Sequence, residues 1–159
     1  EAKRLLAVDP KRIIPKIPVT QAGLGAVLRL SEEGIRTTVT GVVTVAQGLL
    51  AAKAGATYVA PYVNWVDNIE HSGAEVVAEL LGAFAALDLE AKVLAASVKN
   101  SRQFRDLVAL GTHAVTMPPE TYAMVLDHPL TERALEAFEN NWMRTFAEYK
   151  LDSKLRGEG

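Results

Sequence analysis

Five short runs rich in β-branched residues, Ile13 to Val19, Thr37 to Val43, Tyr58 to Val63, Lys92 to Ser97 and His113 to Met117, alternate with Ala/Leu-rich segments of helical period. No other feature of the sequence limits the fold as much. Strands separated by single helices cannot close as hairpins; they pair in parallel through right-handed crossovers, and helices cover the sheet they build. The class is therefore α/β, with two architectures open: a doubly wound sheet or a (β/α) barrel. A doubly wound nucleotide binder usually carries a glycine-rich turn after its first strand. Here that turn reads "IPVTQAGLG", which has neither G-x-G-x-x-G nor G-x-x-x-x-G-K-[ST] spacing, and this favours the barrel.

The helices are punctuated by caps and breakers. Thr20 is placed to cap a helix running to about Glu33, with Gly34 stopping it. A second spans Val45 to Lys53, a third opens at Ser72 or Gly73 and reaches about Leu87, and Ser101 is placed to cap a fourth that ends at Gly111. "PPETYAMVLD" is helical, and Pro129 separates it from a long final helix. No low-complexity linker interrupts the series. The expectation is one partial barrel domain over residues 1–150 and a flexible, polar tail over 151–159.

Composition excludes several functions. With 159 residues, 49% hydrophobic and 23% charged, the chain can bury a core, and a net charge of -2 provides no field for nucleic acid or an acidic membrane. There is no cysteine, so disulfides and thiolate metal sites are absent and a reducing compartment such as the cytoplasm is permitted. No apolar run reaches the roughly 20 residues that span a bilayer, and the first residues, "EAKRLLAVDP", do not read as a signal peptide. His71, His113 and His128 are too dispersed to suggest a metal site.

Both open architectures place chemistry at the carboxyl ends of the strands. Those ends carry Lys16, Thr40, Tyr62 with Asn64, Ser97 with Lys99, and Thr116. Lys16 stands out. An ammonium group among apolar strand residues is desolvated, which lowers its pKa and leaves a neutral amine able to attack a carbonyl and form an imine. The alternative is that Lys16 snorkels to solvent, in which case Lys16→Met leaves activity intact. Thr40 and Tyr62 supply two hydroxyls that could hold a proton-shuttling water beside the amine, although a tyrosine in a strand is equally at home as core packing. Ser97 and Lys99, ahead of a capped helix, suit an anion such as a sugar phosphate, or else face solvent in a loop.

Taken together, "KIPVTQAGL", "GIRTTVTGVVTVAQGLLAAKAGATYVAPYVN", "KVLAASVKN" and "FENNW" resemble the transaldolase family, and most of all its short fructose-6-phosphate aldolase-like branch. The resemblance implies a TIM (β/α)8 barrel of which this chain carries strands four to eight and the C-terminal helix. It implies class I aldolase or transaldolase chemistry on sugar phosphates or dihydroxyacetone-type ketoses, in carbohydrate metabolism such as the pentose phosphate route, without a cofactor. By resemblance Lys16 is the Schiff-base lysine, Thr40 the water-holding threonine, Tyr62 the acid/base partner and Ser97 a phosphate ligand. Lys99, Asn64 and Trp65 complete the expected substrate-binding set; Trp65 stands where the family's "PYVNR" has arginine, and an indole offers one hydrogen bond and no charge.

The family's first three βα units, with an aspartate, an asparagine segment like "TTNPS" and a third polar residue, have no counterpart in these residues. Five strands cannot close an eight-stranded barrel, so the chain is expected either to be a portion of a longer protein or to cover its open edge by association. The resemblance further implies a homo-oligomeric ring, pentamer- or decamer-like, in which the helix around Phe138, Trp142 and Phe146 reaches a neighbour. The alternative function is that of a weakly active or inactive remnant serving as an assembly module.

Overall fold

The computed structural model describes residues 1–146, so the expected tail at 151–159 lies outside the described residues. Two compact units are present, Glu1–Tyr122 and a second that begins at Ala123.

The first unit is a five-stranded parallel sheet in the order β1-β2-β3-β4-β5: Lys16–Pro18, Thr38–Val42, Tyr58–Pro61, Lys92–Ala95 and Ala114–Val115. Each strand pairs with the next in sequence, as in Lys16 with Thr38, Thr40 with Ala60, and Val59 with Val93. A doubly wound sheet reverses its strand order at a switch point. No reversal occurs here, so the order is that of a partial TIM barrel.

Between the strands lie α2 (Gln21–Glu32), α3 (Val45–Lys53), α4 (Val63–Asp67) with α5 (Gly73–Ala86), and α6 (Ser101–Ala109), after an initial α1 (Ala2–Leu6). Thr20 caps α2 by accepting from Gly23 N, and Ser72 caps α5 by accepting from Glu75 N. Thr44 and Gln47 form a reciprocal capping box on α3. At α6 the sequence reading needs correction: the cap is Asn100, whose side chain accepts from Gln103 N, while Ser101 is the first helical residue. An Asn one position earlier, in extended conformation, presents its carboxamide to the free N–H groups that Ser101, already helical, cannot reach.

Strand alternation divides the sheet into two faces. Val39, Val59 and Val93 enter the core with Val27 of α2, Ala51 of α3, Val77 and Leu80 of α5, and Leu107 of α6. Burying each of the larger side chains contributes about 1.5–3 kcal/mol relative to leaving it in water. Residues of the opposite parity, Lys16, Thr38, Thr40, Tyr58 and Ala60, line the other face. At Gly41 the register shifts between Thr40 and Val42, and φ of 75° puts the residue in the left-handed region that glycine adopts without a Cβ penalty. The bulge lets Val42 enter the core while Thr40, two residues earlier, stays on the opposite face.

Past the sheet, α7 (Pro119–Leu126) follows β5, and within the second unit α8 (Pro129–Phe146) is exposed along most of its length. Leu135, Phe138 and Trp142 recur at three- and four-residue intervals on α8, and Trp142 lies against Phe146 with ring centroids 4.6 Å apart.

Candidate active site

Three of the side chains singled out in the sequence come together on the sheet face opposite the core. Thr40, near the end of β2, donates its hydroxyl hydrogen bond to the phenolic oxygen of Tyr62 at 3.0 Å. Tyr62 leaves β3 and becomes the residue preceding α4; its N–H donates to Val42 at 2.8 Å, and it bridges to Ala96 at the end of β4. Lys16 Nζ lies 5.9 Å from the centroid of the Tyr62 ring, within the range of a cation–π contact. The Thr40 proton is committed to Tyr62, so the phenolic proton is free to be donated to a third group.

Lys16 opens β1 rather than ending it, and of the two readings of its side chain, desolvated or reaching solvent, the exposure agrees with the second. The physical reason is the sheet order: β1 is three residues long and has a strand neighbour on one side only among the described residues, so the sheet edge beside Lys16 is open. Nor does a carboxylate pair with it among the described residues.

Trp65 sits one turn into α4, more than half exposed at 57%, with its ring edge-on to Tyr62 at 5.0 Å and 89°. Val63, read from sequence as the end of the third strand run, opens α4, a five-residue helix that aims Trp65 back at Tyr62. Asn64, on the same helix, donates its backbone N–H to the Ser97 carbonyl at 3.3 Å, while its side-chain oxygen accepts from Gln103 at 3.2 Å. Half of its carboxamide is thus already engaged.

Ser97 and Lys99 lie in the loop between β4 and α6. Ser97 has φ of 59°, a left-handed conformation that costs a non-glycine residue roughly 1–2 kcal/mol. The loop is held from three directions. Asn64 N–H binds the Ser97 carbonyl, the Thr121 hydroxyl donates to the Val98 carbonyl at 3.4 Å, and Lys99 N–H donates to Gln103 Oε1 at 2.7 Å. The Lys99 side chain is exposed and forms no ion pair among the described residues.

Sequence reasoning passed over Gln103 and Asp67. Gln103 is buried at 9% exposure and donates to Asp67 Oδ2 at 2.6 Å; Asp67 Oδ1 in turn accepts from Gly73 N at 2.7 Å, at the start of α5. The available signal was a polar residue on the inward face of α6, between Asn100 and Leu107. Among the described residues no three His, Asp or Glu side chains gather to hold a metal, and two of the histidines serve backbone: His113 Nδ1 accepts from Val93 N and His128 Nδ1 from Leu130 N. No helix among the described residues is long and apolar enough to cross a membrane.

A family model described as Transaldolase/Fructose-6-phosphate aldolase matches residues 1–156. A probable transaldolase of Bacillus cereus is 39% identical over 145 residues, covering 91% of this chain and 67% of that protein. Probable transaldolases of Kosmotoga olearia and of Thermus thermophilus are each 41% identical over 142 residues, or 89% of this chain, and the match covers 65% and 63% of their own lengths. The chain therefore spans about two thirds of the length of these relatives. With its parallel βα order and a match over nearly all its residues, the chain belongs to the transaldolase/fructose-6-phosphate aldolase family.

Proposed function

We propose that the site performs class I aldol chemistry on a ketose, through an imine at Lys16. The observation that carries this reading is the Thr40–Tyr62 hydroxyl pair beside the Lys16 amine. The neutral amine adds to the ketose carbonyl, and loss of water gives a protonated imine. The bond between the α and β carbons then breaks as its electron pair moves into the imine to form an enamine, and the β-hydroxyl gives up its proton as the aldehyde leaves. Tyr62, ordered by Thr40, acts as a relay through one bound water, giving its own proton as it takes another, both while the imine forms and when the β-hydroxyl loses its proton and the enamine carbon gains one. Hydrolysis of the imine completes aldol cleavage; addition of the enamine to a second aldehyde completes a transfer.

The Ser97–Lys99 loop and the first N–H groups of α6 supply donors for a phosphate at the far end of the substrate. Trp65 adds an apolar shelf against Tyr62 in place of a charge, which weakens phosphate binding at that point and admits dephosphorylated ketoses. Reduction with borohydride in the presence of dihydroxyacetone or fructose 6-phosphate tests the reading: a covalent adduct mapped to Lys16 supports it, and a folded protein that forms none overturns it.

A second reading has its own observation, the apolar stripe Leu135, Phe138 and Trp142 exposed on α8. It assigns α8 to self-association in a homo-oligomeric ring, with catalysis weak or absent. A stable, folded monomer of 17.2 kDa in solution rules it out.

A further inference from the structure

We infer that Gln103 is the positioning residue of the anion-binding loop, fixing Ser97 and Lys99 relative to α4; this rests on the reading of that loop as the phosphate subsite. One buried carboxamide joins the Lys99 loop and α6 to α4. Its oxygen accepts from Lys99 N–H at 2.7 Å, and its nitrogen donates both to Asp67 Oδ2 at 2.6 Å and to Asn64 Oδ1 at 3.2 Å. Asp67 is itself anchored at the start of α5 by Gly73 N–H, and the Gln103 backbone N–H is held by the Asn100 cap. The amide is thus saturated in the sense that matters for orientation: its acceptor and both donor directions are used, so it cannot rotate without breaking a bond.

The loop needs such an anchor because it is strained. Ser97 is in the left-handed region, and a non-glycine residue stays there only when surrounding contacts hold it. The Asn64 and Thr121 bonds hold the carbonyls of Ser97 and Val98, and the Gln103 bond holds the Lys99 N–H on the α6 side of the strained residue. Asn64 belongs to the same helix as Trp65, which packs on Tyr62. Gln103 therefore sets the anion loop against α4 without touching substrate, while Tyr62 is held independently by Val42 and Thr40.

The test is a nuclear magnetic resonance titration of the chain with inorganic phosphate, following the Ser97 and Lys99 amide signals, beside borohydride trapping with unphosphorylated dihydroxyacetone. Gln103→Leu is expected to weaken phosphate binding about 10-fold or more, as loss of a charge-assisted buried hydrogen bond implies. Its half-saturating dihydroxyacetone concentration is expected to stay within about twofold of wild type, since the neutral ketose makes no use of the loop. Gln103→Glu places a carboxylate against Asp67 and is expected to bind phosphate as poorly. Combining it with Asp67→Asn restores a donor–acceptor pair across the same 2.6 Å contact, and phosphate affinity should recover. Unchanged phosphate affinity in Gln103→Leu, no rescue in the double variant, or no phosphate response at Ser97 in the wild type each overturns the inference. Absence of a dihydroxyacetone adduct in the wild type, with phosphate behaving as expected, overturns the Schiff-base reading instead.

Discussion

Replacing Tyr62 with phenylalanine separates the hydroxyl from the ring that carries it. Thr40 then loses its acceptor at 3.0 Å, but it is half-buried rather than enclosed and can turn its hydroxyl to water. One exchanged hydrogen bond of this kind is worth about 1 kcal/mol. In a domain of this size that lowers the melting temperature by roughly 2–4 °C. The ring contacts survive, both the edge-on packing of Trp65 at 5.0 Å and the face presented to Lys16 at 5.9 Å.

The kinetic cost should be larger than the structural one. If the phenol moves a proton during imine formation, its removal slows adduct formation by about 10²-fold or more. A factor of 10² corresponds to about 2.7 kcal/mol of barrier, well above the loss of stability. The assay is the rate of borohydride-trapped adduct at Lys16 with dihydroxyacetone, measured beside thermal unfolding of the same samples. Thr40→Val and the double variant close a cycle, and the double should be little slower than Tyr62→Phe alone because the two hydroxyls act as one unit. A trapping rate within threefold of wild type, at unchanged stability, refutes the assignment of Tyr62 to proton transfer and leaves it as packing.

Other changes probe the scaffold. Gly41→Ala puts a Cβ into open space but at φ of 75°, so the expected loss is about 1–2 kcal/mol from backbone strain alone, read from urea unfolding. Asn100→Ala removes the α6 cap and should cost about 1 kcal/mol by the same measurement, where Ser101→Ala should cost almost nothing. Leu80→Ala, at a fully buried site, should cost about 2–5 kcal/mol. Gly48→Ala drives a methyl into Leu80 Cδ2, so combining it with Leu80→Ala should cost less than the sum of the two single changes.

The parallel βα order was legible because each strand is a β-branched run and each helix carries its own cap, both local signals. Thr20 and Ser72 cap their helices as their sequence positions suggest, since an N-cap needs only the first turn in front of it. The choice of Ser101 over Asn100 failed within that same local logic: both residues can cap, and only the backbone decides which is extended. Convergence of Thr40 with Tyr62 followed from placing both near strand ends, and the structure brings their oxygens to 3.0 Å. Gln103 carried only a weak signal, its place on the inward face of α6. Its partners Asn64 and Asp67 are 39 and 36 residues away, so helical register can suggest that it is buried but cannot say what it bonds.

Lys16 marks the boundary between geometry and electrostatics in such reasoning. The positions of Thr40 and Tyr62 are set by short-range devices, the Gly41 bulge and the turn into α4, and these operate wherever the five strands pair. The reactivity of Lys16 depends instead on how much water surrounds its amine, a property of everything that covers the open face beside β1. In this chain the side chain is exposed, so the preorganised hydroxyl pair stands next to an amine that water reaches. Covering that face, whether by further strands or by another copy, would change the chemistry of Lys16 without moving Thr40 or Tyr62. The trapping rate should then rise with protein concentration if another copy supplies the cover, whereas a rate per site independent of concentration would show that the exposed amine reacts as it stands.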